Sequence, residues 1–259
     1  MNKKQVLLVG SILVFTITMG ILNTLGQGKN DEIREKLITI KTVNKPLCTV
    51  FGRLIFKYDI PIGFEESILD KDHDGFHFET NVPYGEWKQR YLADKEVNCG
   101  LPEVKNHLIS ISFKDARLED VITEIVRQMQ NYDWEIYDGV VNIFPVKGRD
   151  PRIKKLLDLK INEFSISRGT EVGMIQPLII LELPEFKEFL AENNLYAESD
   201  RTAPWFIERP LPEGMKFSNL TFKELLNSIT KSKRGGWILK VSKIKKPENE
   251  GREFIDILI

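Results

Sequence analysis

The chain has 259 residues, 42% of them hydrophobic and 29% charged, with a formal net charge of −1. This balance suits one large or two small globular domains and excludes a disordered or collagen-like chain. Without a basic surplus, nucleic acid is not the expected partner, because phosphate binding draws on excess Lys and Arg.

Met1 to Lys4 carries two lysines, and Val6 to Leu25 follows without a charge. A run of about 20 apolar residues matches the thickness of a bilayer core. The leading lysines place the N-terminus on the cytoplasmic side and the bulk of the chain beyond the membrane. Residues 1–30 therefore read as an uncleaved anchor or as a signal peptide cut near Thr24-Leu25-Gly26, with a buried helix as the remaining reading. No cysteine lies near Gly20 to Gly28, which excludes a lipidated N-terminus. Cys48 and Cys99 are the two cysteines, and outside the cytoplasm they could pair.

Past a polar stretch, Leu37 to Ile40 and Val43 predict a strand. Leu47, Val50, Phe51, Leu54, Ile55 and Tyr58 then follow the spacing of an amphipathic helix. Pro61 ends it, and "PIGFEE" predicts a strand. An insertion rich in Asp, Gly and Pro fills residues 67–105. Ile109 to Phe113 alternates as a half-buried strand, and Leu118, Val121, Ile122, Ile125, Val126 and Met129 repeat the helical stripe. Two β-rich runs, Trp134 to Ile136 and Val140 to Phe144, flank Asp138-Gly139, whose residue types suit a tight hairpin turn. Residues 36–150 form the first expected module.

Residues 151–259 form the second. Leu157, Leu159 and Ile161 alternate as its opening strand, Met174 to Leu183 is very apolar, and Pro184 suits the first turn of a helix carrying Phe186, Phe189 and Leu190. Leu195 to Glu198 matches "PIGFEE". Phe217, Phe222, Leu225 and Ile229 then stand to Phe113, Leu118, Val121 and Ile125 at one constant offset, the mark of an internal duplication. Thr221 and Glu224 form a capping-box pair. Trp237 to Val241 and Phe254 to Leu258 predict a closing hairpin.

The stretch "ISISFKDARLEDVITEIVRQMQNYDWEIYDGVVNIFP", with "FGRLIFKYDIPIGFEE" before it, resembles the short N-terminal domain of secretins and TonB-dependent transporters. The second copy resembles it more loosely, and insertion 67–105 departs from the compact family pattern. The resemblance implies a βαβ-type, protein-interacting module outside the cytoplasm of a bacterium, tethered to the inner membrane or secreted. It implies no catalysis, and no channel sequence follows.

The one sharp motif is "DKDHDG", residues 70–75. Asp70, Asp72 and Asp74, with the Phe76 carbonyl, have the opening of a calcium loop, but Asn81 stands where the bidentate Glu belongs. A solvated turn is the competing reading. His73 and His77 bracket Gly75, which disfavours a helical zinc pair, and His107 stands alone. "KSKRGGW", Lys231 to Trp237, reads as a helix C-terminus or an anion site. Trp134 and Trp237 are expected in the core, and Trp87 and Trp205 are candidates for partner contact. The expected fold is α+β: two tandem βαβ/βαββ modules with small mixed sheets behind one apolar helix. The expected function is a non-enzymatic envelope protein that docks another envelope protein through strand edges or grooves, without cofactor or small-molecule substrate. A calcium-stabilised or ligand-binding adhesion module, and an envelope hydrolase with its site in the insertion, are the alternatives.

Overall fold

The structure is a computed structural model and describes residues 30–69, 89, 93, 108–197, 210–233, 235–243 and 253–259. The fold is mixed α+β. Its first half runs β1 (Leu37–Pro46), α1 (Leu47–Tyr58), β2 (Ile62–Glu65), β3 (Leu108–Arg117), α2 (Leu118–Met129), β4 (Tyr132–Tyr137) and β5 (Val140–Pro145). Its second half runs α3 (Pro151–Leu157), β6 (Lys160–Ile166), α4 (Ile175–Glu182), α5 (Pro184–Glu192), β7 (Leu195–Tyr196), β8 (Met215–Thr221), α6 (Phe222–Lys233), β9 (Gly236–Lys243) and β10 (Glu253–Leu258).

Local chemistry sets these elements. All six apolar residues of the α2 stripe are buried, because helical spacing gathers them on one side. Asp138 and Gly139 both have positive φ, 51° and 71°, as a two-residue hairpin turn demands. At the start of α6 the capping box is reciprocal: the Glu224 amide donates to Thr221 Oγ1 (3.2 Å) and the Thr221 amide to Glu224 Oε2 (2.6 Å).

The pairings occur twice. β1 and β3 form one antiparallel two-stranded ribbon, and β6 and β8 form another. β5 pairs antiparallel with β4 and parallel with β2, while β10 pairs antiparallel with β9 and parallel with β7. α2 and α6 are both 12 residues long and follow their ribbons at the same offset. The left-handed residues Asp115 (φ 50°) and Asn219 (φ 54°) keep that offset too. Each sits just before its helix, where Asp and Asn tolerate the conformation better than most residues.

The two sets of three strands do not stay separate. β2 pairs parallel with β9, giving one six-stranded sheet in the order β4-β5-β2-β9-β10-β7. This corrects the expectation of two small sheets. β2, β5 and β9 run one way and β4, β7 and β10 the other. The first core takes Ile62, Phe64, Val141 and Ile143; the second takes Trp237, Leu239, Ile255 and Ile257. Since the register sets Phe64 beside Ile238 and Gly63 beside Trp237, alternation puts the two cores on opposite faces of the sheet. Each core is closed on its outer side by helices and its ribbon.

One local expectation fails. Leu157 ends α3 and does not open a strand; β6 begins at Lys160. Asp150 caps this helix, its side chain accepting from the Arg152 amide (2.8 Å), and Pro151 occupies the first turn with φ already set. Asp150→Ala is expected to cost about 1 kcal/mol in urea unfolding. The expectation for the tryptophans is met in part: Trp134 packs against the first core but is only half-buried, because it lies on the terminal strand β4, whereas Trp237 lies inside the sheet and is fully buried.

Candidate interaction site at the seam and the strand edges

The β2–β9 seam is built on two glycines. A Cβ on Gly63 would stand 2.3 Å from Cε2 and Cζ2 of Trp237, so the indole lies where a side chain would be. A Cβ on Gly236 would stand 2.8 Å from the Ile62 carbonyl oxygen. The indole nitrogen donates to Asn227 Oδ1 (2.8 Å), and Asn227 Nδ2 donates to the Tyr137 carbonyl (3.2 Å). Asn227 is wholly buried, with both ends of its amide used, one on each side of the seam.

Helix α6 carries the second half onto the β4–β5 hairpin of the first. Lys223 pairs with Glu135, and Lys231 with Asp138. The Tyr137 hydroxyl donates to Glu224 Oε1 (2.8 Å); burial, with this carboxylate beside it, pushes the phenol up to about 12. Glu65 is buried on the same face and accepts from Nε and Nη2 of Arg149 at 2.6 and 2.7 Å. Burial pushes the Glu65 carboxyl above the ordinary range, against the pull of Arg149. At the end of α6, burial lowers the Lys233 ammonium to about 7. Lys240 and Asp256 face each other across β9 and β10 at 3.7 Å, both buried.

On β1, β3, β4 and β6, four strands at the sheet margins, side chains take some of the backbone groups. On β1, the Thr39 amide donates to the Tyr58 hydroxyl (3.2 Å) and the Lys41 carbonyl accepts from Arg53 (2.7 Å). On β3, Gln128 both accepts from the Ser110 amide and donates to its carbonyl, each at 2.9 Å. On β4, the Trp134 amide donates to Asp133 Oδ1 (2.8 Å); on β6, the Asn162 amide donates to Glu185 Oε1 (3.0 Å). An open strand edge is a template for another chain, and these contacts occupy part of it on those four strands. Docking by strand addition, one of the two modes read from the sequence, therefore has to displace them. The outer face of the β1–β3 ribbon is different: Val43 and Leu108 are 62% and 44% exposed there.

Asp70, Asp72, Asp74 and Phe76, His73, His77 and His107, and Trp87 and Trp205 all lie outside the described residues, as does the apolar segment 6–25. Among the described residues no three His, Cys, Asp or Glu gather as a metal site, and no helix is long and apolar enough to cross a membrane. Cys48, in the first turn of α1, is disulfide-bonded. Sequence reasoning missed the seam residues Gly63, Asn227 and Gly236 and the Glu65–Arg149 pair. The one signal for Asn227 is a polar amide one step off the Leu225–Leu226–Ile229 stripe.

No protein-family model, curated protein or solved structure matches this chain.

Proposed function

We propose that the chain is a non-catalytic interaction scaffold of a bacterial envelope. In this reading it consists of two degenerate copies of a module like the short N-terminal domain of secretins and TonB-dependent transporters. Segment 6–25 holds it at the inner membrane or directs its export. The observation that carries the reading is the repeated pairing scheme, ribbon, helix and three-stranded sheet, used twice in one chain. Duplicated scaffolds enlarge a binding surface without adding reactive groups. The side-chain contacts along β1, β3, β4 and β6 favour docking on surfaces over strand addition, and the ribbon face with Val43 and Leu108 is the best candidate for contact with another envelope protein.

The test is a photo-reactive residue at position 43 or 108 in the full chain, expressed in the bacterium that makes it, with external protease added to spheroplasts. Protease cleavage and one reproducible protein adduct from both positions are expected. A chain protected from protease, or adducts scattered without a common partner, sinks the proposal.

A further inference from the structure

The residues that follow the apolar segment 6–25 are bound to the first half from Asn30 onward. The Gly139 amide donates to Asn30 Oδ1 (2.8 Å), and Ile33 packs against the first core. The Lys36 carbonyl accepts from the Leu118 amide (2.8 Å), and the Lys36 ammonium donates to the Tyr58 carbonyl. The Gly139 and Tyr58 contacts lie at one end of the sheet. Gly139 belongs to the β4–β5 turn; Tyr58 stands three residues before Pro61, whose carbonyl accepts from the Val141 amide beside that turn (3.0 Å). Helix α6 ends there too, with Lys231 paired to Asp138.

The opposite end of β2 and β5 carries three exposed aliphatic residues, Ile68, Leu69 and Val146. The Val146 amide donates to the Asn131 carbonyl (2.8 Å) and the Ile68 amide to the Gly148 carbonyl (3.0 Å), which gathers them in one turn region. The six residues of β5 separate that region from Gly139 by about 20 Å at the usual strand rise. By composition alone, these are residues to seat on a lipid surface. The tether favours the other end. Leu25 and Asn30 are five residues apart, at most about 18 Å of extended chain. An apolar segment that spans the bilayer therefore brings the turn end to the surface first. Leu37 and Tyr137, an aliphatic side chain and an aromatic one of the kind enriched at membrane interfaces, are exposed at that end, beside Lys36 and Asp138.

We infer that the protein stands on the bilayer by the Asp138–Gly139 turn and the C-terminal end of α6, with Ile68, Leu69 and Val146 turned away from the lipid. The inference rests on the reading of segment 6–25 as a membrane anchor and deepens it, since it names the surface that meets the lipid and the surface left for protein. It requires no partner and no cleavage, only that the short tether and its contacts with Gly139 and Tyr58 hold in the membrane-bound chain.

The experiment uses the full chain reconstituted in vesicles of phosphatidylethanolamine and phosphatidylglycerol, with a fluorescent residue at position 232 or 146 and a nitroxide quencher on the lipid headgroups. Ser232, next to Lys231, and Val146 are both exposed, so neither label disturbs a core. The label at 232 is expected to be quenched at least about twofold more than the label at 146, given the strand length between the two ends. A flexible insert of about twelve Gly and Ser residues between Gly28 and Lys29, with a reach of roughly 20 Å, is expected to erase the difference. Equal quenching at the two positions, stronger quenching at 146, or a difference that survives the insert overturns the inference. A chain that does not float with the vesicles fails at an earlier step: it removes the anchor reading, and the inference with it.

Discussion

Alanine in place of Trp237 is expected to lower the free energy of unfolding by about 5 kcal/mol, read as a shift of the urea midpoint. Removing a fully buried indole leaves a large hole, and the hole lies where the two halves meet. Asn227 Oδ1, itself buried, would also lose its donor, a cost charged in addition to the cavity. The same contact can be approached from the facing strand. Gly63→Ala puts a methyl 2.3 Å from the indole ring, which is packed on all sides and cannot swing away, so a loss of about 2 kcal/mol is expected. The two changes should not add. With Trp237 already truncated, the methyl at position 63 has room, and its own cost should fall to near zero. That non-additivity is the decisive reading, because it belongs to the seam contact alone. If the two costs add fully, the indole is not what excludes a side chain at position 63.

Much of this architecture was legible because short-range rules governed it. The stripes of α1, α2 and α6 recorded helical spacing, and Asp138-Gly139 and Thr221/Glu224 each announced a turn or a cap within four residues. Helix α3 is legible too, through Asp150-Pro151, but the alternation of Leu157, Leu159 and Ile161 points to a strand at its C-terminal end. What period-2 alternation cannot supply is the identity of a neighbouring strand. "PIGFEE" showed that Ile62 and Phe64 face one way; nothing in it names Gly236 to Leu239 as the partner on the far side. The same applies to Glu65 and Arg149, which meet across the fold from distant parts of the chain, and to the exposure of Trp134, which depends on β4 being a terminal strand. The calcium-loop motif at 70–75 and the two tryptophans in irregular segments, Trp87 and Trp205, fall outside the described residues.

Arg149→Met is expected to cost about 3 kcal/mol at neutral pH, because it strips the counter-charge from a carboxylate that is 1% exposed. The methionine keeps much of the volume that now lies over the Phe144 ring, so the loss reports charge more than packing. The pH dependence follows from the direction of the Glu65 shift. Burial outweighs the two bonds from Arg149 and the more distant Lys223, and Glu135 adds to the upward push, so the folded carboxyl binds its proton more tightly than the unfolded one. A group raised in this way contributes stability that is fully present below the unfolded carboxylate pKa and is lost as pH rises through the folded value. Without Arg149 the folded value climbs further, and the window of loss extends upward. The defect of Arg149→Met should therefore be largest near roughly pH 8 and shrink toward roughly pH 5, as Glu65 takes up a proton and no longer needs a partner. Adding Glu65→Gln should recover part of the stability at high pH and flatten the profile. A defect that stays constant from one end of that range to the other, or grows as pH falls, would mean that Arg149 acts by packing and that the charge on Glu65 is reached by water. The β2–β9 seam would then be held by Trp237 and Asn227 without help from the ion pair beside it.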